Sequence, residues 1–171
     1  DGIRDYKVTG VQTCALPIYG GGPMPRSVVE AALKAFPCTM IQGYGQTEGM
    51  TMTFLSQEDH QRAVAGDHPE RLGSCGREGF VSEIRVVAPD GQPVAKDGAT
   101  AGEIVVRSEA NMLGYWRRPD LTEKTLRDGW MWTGDIAVWD AEGYVFIVDR
   151  AKDMKIGRTR LNSSHLVISY A

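Results

Sequence analysis

Cysteine is scarce in this chain of 171 residues. Cys14, Cys38 and Cys75 are odd in number and form no C-x-x-C pair, which argues against a disulfide framework and suits a reducing compartment. Histidine is equally sparse. His60, His68 and His165 stand far apart, without the close paired spacing of a zinc site, and read as solvated loop residues. No apolar run reaches the length of a membrane span, and the N-terminus lacks the charged-then-apolar order of a signal peptide. A cytoplasmic protein without a transmembrane segment is therefore expected. Positive charge is not in excess either: a net charge of −3 offers no basic footprint for nucleic acid or an anionic membrane. No internal repeat or low-complexity tract is present. What remains is an ordinary globular composition, 42% hydrophobic and 24% charged, in a chain long enough for one domain with a real core.

Along the chain, residues 1–18 hold short β-prone pieces broken by glycine and proline. Pro25 to Phe36 has Val28, Val29, Ala32, Leu33 and Phe36 at helical spacing and predicts an amphipathic helix with a core-facing stripe. Cys38 to Gln42 reads as a short buried strand, which would put Gly43-Tyr44-Gly45 in a loop at its carboxyl end. Met50 to Phe54 reads as packing against the sheet, and Ser56 to Leu72 as an irregular surface connection. From Gly73 the period changes. Ile84, Val86 and Ala88 alternate with Glu83, Arg85 and Val87, Pro89-Asp90-Gly91 supplies a turn, and Gly102 to Arg107 gives another strand. Asp120 with Glu123 suggests a capping box on a short helix, Leu121 to Leu126, that stops near Asp128-Gly129. Ile136 to Trp139 and Tyr144 to Val148 predict a hairpin about Asp140 to Gly143.

Several stretches carry residue types suited to nucleotide chemistry. In Gly43-Tyr44-Gly45-Gln46-Thr47-Glu48 the glycines permit close approach of backbone to a ligand. The Tyr44 ring can lie on a flat base, Thr47 can reach a phosphate oxygen, and Glu48 is a hard oxygen donor suited to magnesium. Taken alone, the same run also reads as a turn feeding a helix N-terminus. Tyr19-Gly20-Gly21-Gly22-Pro23 reads alone as a flexible loop. Trp132-Thr133-Gly134-Asp135 reads alone as a tight turn, and Asp149-Arg150-Ala151-Lys152-Asp153 as solvated charges at a strand end.

In this order and at these separations, the four motifs resemble those of the adenylate-forming superfamily of acyl-CoA synthetases, luciferases and peptide-synthetase adenylation domains, over about Tyr19 to Met154. The resemblance implies a mixed α/β fold: the C-terminal part of the large N-terminal domain, with the end of a parallel sheet over 19–72, a β-rich barrel-like subdomain over 73–149 and the start of a hinge over 150–154. Residues 1–18 and 155–171 look instead like translated sequencing-adapter sequence. The resemblance further implies an adenine slot between Gly21, Gly22 and Pro23 on one side and Tyr44 on the other, with Gln42, Gly43 and Gly45 adding nucleotide contacts. It gives Thr47 the α-phosphate, Glu48 the magnesium ion, Asp135 and Arg150 the ribose, and Lys152 the hinge of a C-terminal lid. Thr47 and Glu48 are the residues expected to serve the chemical step. Gly102-Glu103-Ile104 and Gly114-Tyr115-Trp116 also match a family motif and are expected to be structural, the aromatic pair supporting the β-subdomain.

The implied reaction is that of a bacterial acyl-CoA synthetase. A carboxylic acid, in the first instance a fatty acid, reacts with ATP to give an acyl-adenylate, and coenzyme A then takes the acyl group; ATP, Mg2+ and CoA are the implied substrates and cofactor. The family's phosphate loop and lid lysine are not in this sequence, so the chain by itself is expected to be inactive. The alternatives are a peptide-synthetase adenylation domain and a truncated, non-catalytic nucleotide-binding module.

Overall fold

A computed structural model describes residues 17–22, 24–36 and 38–150. Pro23, Lys152 and both terminal segments set apart above lie outside the described residues, apart from the last two positions of 1–18. The architecture is mixed α/β with two sheets. The first runs β1 (Ile18–Gly20), β2 (Ile41–Gln46), β3 (Met50–Leu55) and β4 (Arg77–Glu78) in spatial order. Helix α1 (Arg26–Ala35) joins β1 to β2, which pair in parallel with Gly20 opposite Gly43, and β3 and β4 then add antiparallel. The second sheet holds β5 (Ser82–Val87), β6 (Gly102–Ser108), β7 (Leu126–Arg127), β8 (Trp130–Trp139) and β9 (Val145–Arg150). Strand β8 organises it, with β6 along one edge and β7 followed by β9 along the other.

Alternation builds the core between the sheets. Ile84 and Val86 of β5, Ile104 and Val106 of β6, and Met131, Ala137 and Trp139 of β8 turn inward, as a period of two requires. Met52 of β3 is fully buried among them and ties the first sheet to the second. Burying a side chain of that size contributes about 1.5–3 kcal/mol.

Four elements differ from the sequence reading. Gly43-Tyr44-Gly45 lies within β2 and not in a loop beyond it. A Cβ on Gly45 would stand 1.9 Å from the Met50 carbonyl oxygen, so the two glycines let β2 approach β3 across a bulge at Tyr44/Gly45. Met50–Leu55 is itself a sheet strand. Ser56–Leu72 is ordered: helix α2 (Gln57–Val64) is followed by a 3-10 turn, Pro69–Gly73. Ser56 caps α2, accepting from the Asp59 amide while the Asp59 carboxylate accepts from the Ser56 amide. Helix α3 (Pro119–Thr125) begins at the proline and has no capping box, because Asp120 already lies inside it and pairs with Arg118 at 2.7 Å.

The stripe of α1 is covered only in part. Val29 is buried against Ala63 and Leu72 with Leu33 beside it, whereas Val28 and Phe36 are exposed among the described residues. Trp116 is exposed as well, so the Tyr115-Trp116 pair does not support the β-subdomain as expected. No helix among the described residues is long and apolar enough to cross a membrane.

Candidate active site

A cavity of about 390 Å³ opens where the two sheets meet. Gly21 and Gly22, just past β1, form one wall, Gln42 to Gly45 of β2 another, and Asp135 with Asp149 and Arg150 closes the side from the second sheet. Topology explains the convergence. Strands β1 and β2 are parallel neighbours, so their carboxyl ends emerge together, while Asp135 pairs directly with Arg150 across β8 and β9.

Asp135 is 3% exposed, and its partners come from both sheets. The Tyr44 hydroxyl donates to Oδ2 at 2.8 Å, and the Gln46 amide donates to the same oxygen at 2.8 Å and to the Thr133 carbonyl at 2.9 Å. Arg150 Nε stands 3.1 Å from Oδ1, with a side chain 70% exposed. Burial, followed by the adjacent Asp135 charge, pushes the Tyr44 phenol well above its ordinary range. It therefore remains a donor. The strand around Asp135 is fixed by neighbours: the Thr133 hydroxyl donates to the Ile104 carbonyl, and the Gly134 amide donates to Glu103 Oε1 at 2.9 Å. Gly134, at φ 74°, adopts a left-handed conformation that glycine accepts readily.

The β2–β3 turn carries Thr47 and Glu48. Thr47 is exposed. Glu48 is half-buried, and the Tyr115 hydroxyl donates to its Oε1 at 2.8 Å. One carboxylate oxygen is thus held while Oε2 has no such bond among the described residues, so Glu48 can act as a single hard ligand. Among the described residues no cluster of three or more His, Cys, Asp or Glu forms a closed metal cage.

The structure therefore gathers Gly21, Gly22, Gln42, Gly43, Tyr44, Gly45, Asp135 and Arg150 around one cavity, with Thr47 and Glu48 on the adjoining turn. Gln46, Thr133, Glu103 and Tyr115 were missed as parts of the site or its supports. A sequence signal existed for Gln46 and Thr133, which stand inside the chosen motifs. Glu103 and Tyr115 also stand in matched motifs, but the link from Tyr115 to Glu48 spans 67 positions and has no local signal.

The family profile described as AMP-binding enzyme matches residues 4–116. Its span opens inside the 1–18 segment that the sequence reading set apart. Feruloyl-CoA synthase from Amycolatopsis sp is 39% identical over 137 residues, covering 80% of this chain and 26% of that protein. The medium/long-chain-fatty-acid–CoA ligase FadD8 of Mycobacterium tuberculosis is 38% identical over 137 residues, covering 80% of this chain and 22% of its own length. Among solved structures, O-succinylbenzoate coenzyme A synthetase from Bacillus subtilis, in complex with ATP and magnesium ion, superposes with a TM-score of 0.69 at 31% identity, covering 84% of this chain and 28% of that one. The chain thus spans about a quarter of the length of the curated relatives it matches. The profile covers more than half of the chain, and the chain belongs to the AMP-binding enzyme family.

Proposed function

We propose that the protein to which this chain belongs joins a carboxylic acid to coenzyme A through an acyl-adenylate, and that this chain supplies the adenosine-binding side of the site. The observation that carries the reading is the bond from Tyr44 to Asp135, which links residues 91 positions apart at the edge of a cavity lined by glycine and arginine. A flat base fits between the Gly21-Gly22 backbone and the Tyr44 ring, and Pro23 keeps the adenine-slot role that the family resemblance gives it. Gln42 Oε1 is buried without a hydrogen-bond partner among the described residues, so it is free to accept from an exocyclic amino group, while Gly43 and Gly45 keep the strand bare of side chains there.

Asp135 and Arg150 suit the ribose. Its hydroxyls can donate to Oδ1 in charge-assisted bonds, with the exposed guanidinium giving way, while Oδ2 stays engaged by Tyr44 and Gln46. Thr47 can donate to the α-phosphate from the turn. Glu48 would hold magnesium, which when bound neutralises charge as the substrate carboxylate attacks the α-phosphorus and pyrophosphate leaves. Lys152 follows Arg150 closely and is assigned the hinge that reorients a lid between the adenylation and thioester steps. Adenylation turns a poor electrophile into a reactive mixed anhydride. The thiol of CoA then displaces AMP.

The finer reading of the acid is a fatty acid, supported by the similarity to FadD8. The similarity to feruloyl-CoA synthase favours an aromatic acid as the second reading. Isothermal calorimetry of this chain with AMP tests the assignment. We expect binding with one site, and a loss of about 10- to 100-fold in Asp135→Asn, which removes charge-assisted bonds. Absence of AMP binding, or equal affinity in the variant, overturns it.

A further inference from the structure

His60 was read as a solvated loop histidine, and it is the opposite: it is 1% exposed, on α2. Its Nδ1 lies 2.6 Å from the Ser56 carbonyl oxygen. That oxygen can only accept, so Nδ1 carries the hydrogen, and in the neutral ring Nε2 is left as an acceptor. The Tyr19 hydroxyl fills it at 2.8 Å, with the two rings meeting edge to face at 5.7 Å. Burial works to hold the His60 pKa below its ordinary 6.5 and pushes the Tyr19 phenol up to about 12. Both effects preserve this one arrangement, a hydroxyl donor against a neutral imidazole acceptor.

What the bond holds is the glycine wall. Tyr19 belongs to β1 and packs against the small cluster of Val29, Ala63 and Leu72. Directly after it, Gly20 lies so close to β2 that a Cβ there would stand 2.1 Å from the Gly43 carbonyl oxygen. Gly21 and Gly22 then line the cavity opposite Tyr44. The glycines have no side chains with which to anchor themselves. Tyr19 before them and Met24 after them both pack on the small cluster, and of the two Tyr19 has a polar end, which is fixed by His60.

We infer that His60, acting through Tyr19, is a positioning residue for the glycine wall of the nucleotide cavity, and that protonation of His60 reverses the bond through which it does so. The inference rests on the nucleotide reading of the cavity. A protonated imidazole presents N–H at both ring nitrogens, so at Nε2 the Tyr19 hydroxyl must turn from donor to acceptor, and its own hydrogen loses that partner. The charged groups nearest the ring are few. Asp59, beside it on α2, favours the protonated form, but its carboxylate is engaged by Ser56 and Tyr144 and faces the Arg77 guanidinium at 3.7 Å from β4.

The test uses ¹⁵N-labelled chain, following the Gly21 and Gly22 amide resonances from pH 8 to pH 5 in the wild type, Tyr19→Phe and His60→Gln, with AMP affinity measured alongside. In the wild type we expect both resonances to move together with the His60 ring signals at acid pH. Tyr19→Phe should displace them at every pH and weaken AMP binding by about three- to tenfold, the worth of one hydrogen bond. In His60→Gln the amide oxygen accepts in place of Nε2, so the pH 7 resonances and AMP affinity should be retained and the titration should vanish. Glycine amides unmoved by Tyr19→Phe, or a titration that persists in His60→Gln, overturn the inference. If Tyr19→Phe does not fold, the wild type and His60→Gln decide it between them. Failure of every form to bind AMP sinks the nucleotide reading, while the glycine resonances still report on the positioning.

Discussion

Two buried aspartates in this chain look alike and do different work. Asp59 and Asp135 are 6% and 3% exposed. Each accepts from a tyrosine hydroxyl that arrives from far along the chain, Tyr144 for Asp59 and Tyr44 for Asp135, and each faces an arginine, Arg77 and Arg150. They differ in what surrounds those bonds. Asp59 is saturated locally, taking the Ser56 amide and hydroxyl at 2.9 and 2.7 Å. Its tyrosine is clamped between the Arg71 and Arg77 guanidinium groups, 4.0 and 4.8 Å from the ring centroid, and Arg71 is itself held by Asp140 and Glu142. Asp135 has no helix to cap. Its Oδ1 meets a mostly exposed arginine at the edge of a cavity. A buried carboxylate whose acceptor capacity is spent inside the fold serves stability. One whose partner is exchangeable with a ligand serves binding on the proposed reading of the cavity.

The largest expected effect breaks the structural member of the pair. Asp59→Ala removes the carboxylate half of the α2 capping box and orphans the buried Tyr144 hydroxyl, so urea denaturation at pH 7 should show a loss of about 2–4 kcal/mol. AMP affinity of the molecules that remain folded should be unchanged. A loss below about 1 kcal/mol would mean that the cap is not what stabilises this region. Next comes acid. Burial works to raise the Asp59 pKa, but the bonds from Tyr144 and Ser56 and the Arg77 charge bring it below its ordinary 3.8. The folded state then binds fewer protons than the unfolded one, so this stabilisation is complete above the unfolded value and is lost as pH falls from about 4 through the lowered folded value. The stability of Asp59→Asn should therefore fall less steeply below about pH 5 than that of the wild type, and parallel curves would remove Asp59 from the acid limb.

The smallest effect on stability sharpens the comparison from the other side. Arg150→Ala deletes an exposed partner and should change unfolding free energy by less than about 0.5 kcal/mol. The same change should weaken AMP binding several-fold. A variant with lowered stability and wild-type affinity would make Asp135 a second Asp59.

Much of the candidate site was legible before folding because its chemistry is written in short motifs. The glycines of the 43–45 run and the aspartate after Thr133-Gly134 carry their reasons locally: bare backbone for close approach, and a carboxylate beside a turn-prone glycine. The second sheet was legible as well, since alternation along Ile84-Arg85-Val86 survives as β5. The reading failed where polarity was taken for exposure. Ser56 to Leu72 is rich in charge, yet Asp59, His60 and Arg71 are buried, because each polar end meets a partner brought by another element. The local Ser56-x-x-Asp59 spacing of a cap is present in the sequence, but the reading rested on the polarity, glycine and proline of the segment and did not use it.

Sequence by itself determined the family, the order of the motifs, the alternation of the second sheet and the chemical character of Tyr44, Glu48, Asp135 and Arg150. These depend on residue type and near spacing, which folding does not alter. Only the tertiary structure decided that Gly43-Tyr44-Gly45 is strand, that Tyr115 holds Glu48, that Tyr19 finds His60, and that of two buried aspartates one caps a helix and the other borders a cavity. Apart from the local pairing of Asp59 with Ser56, each of the side-chain pairings among these joins positions tens of residues apart, and hydrogen bonds over such separations exist only after the sheets have packed and excluded the water that would otherwise satisfy the same groups.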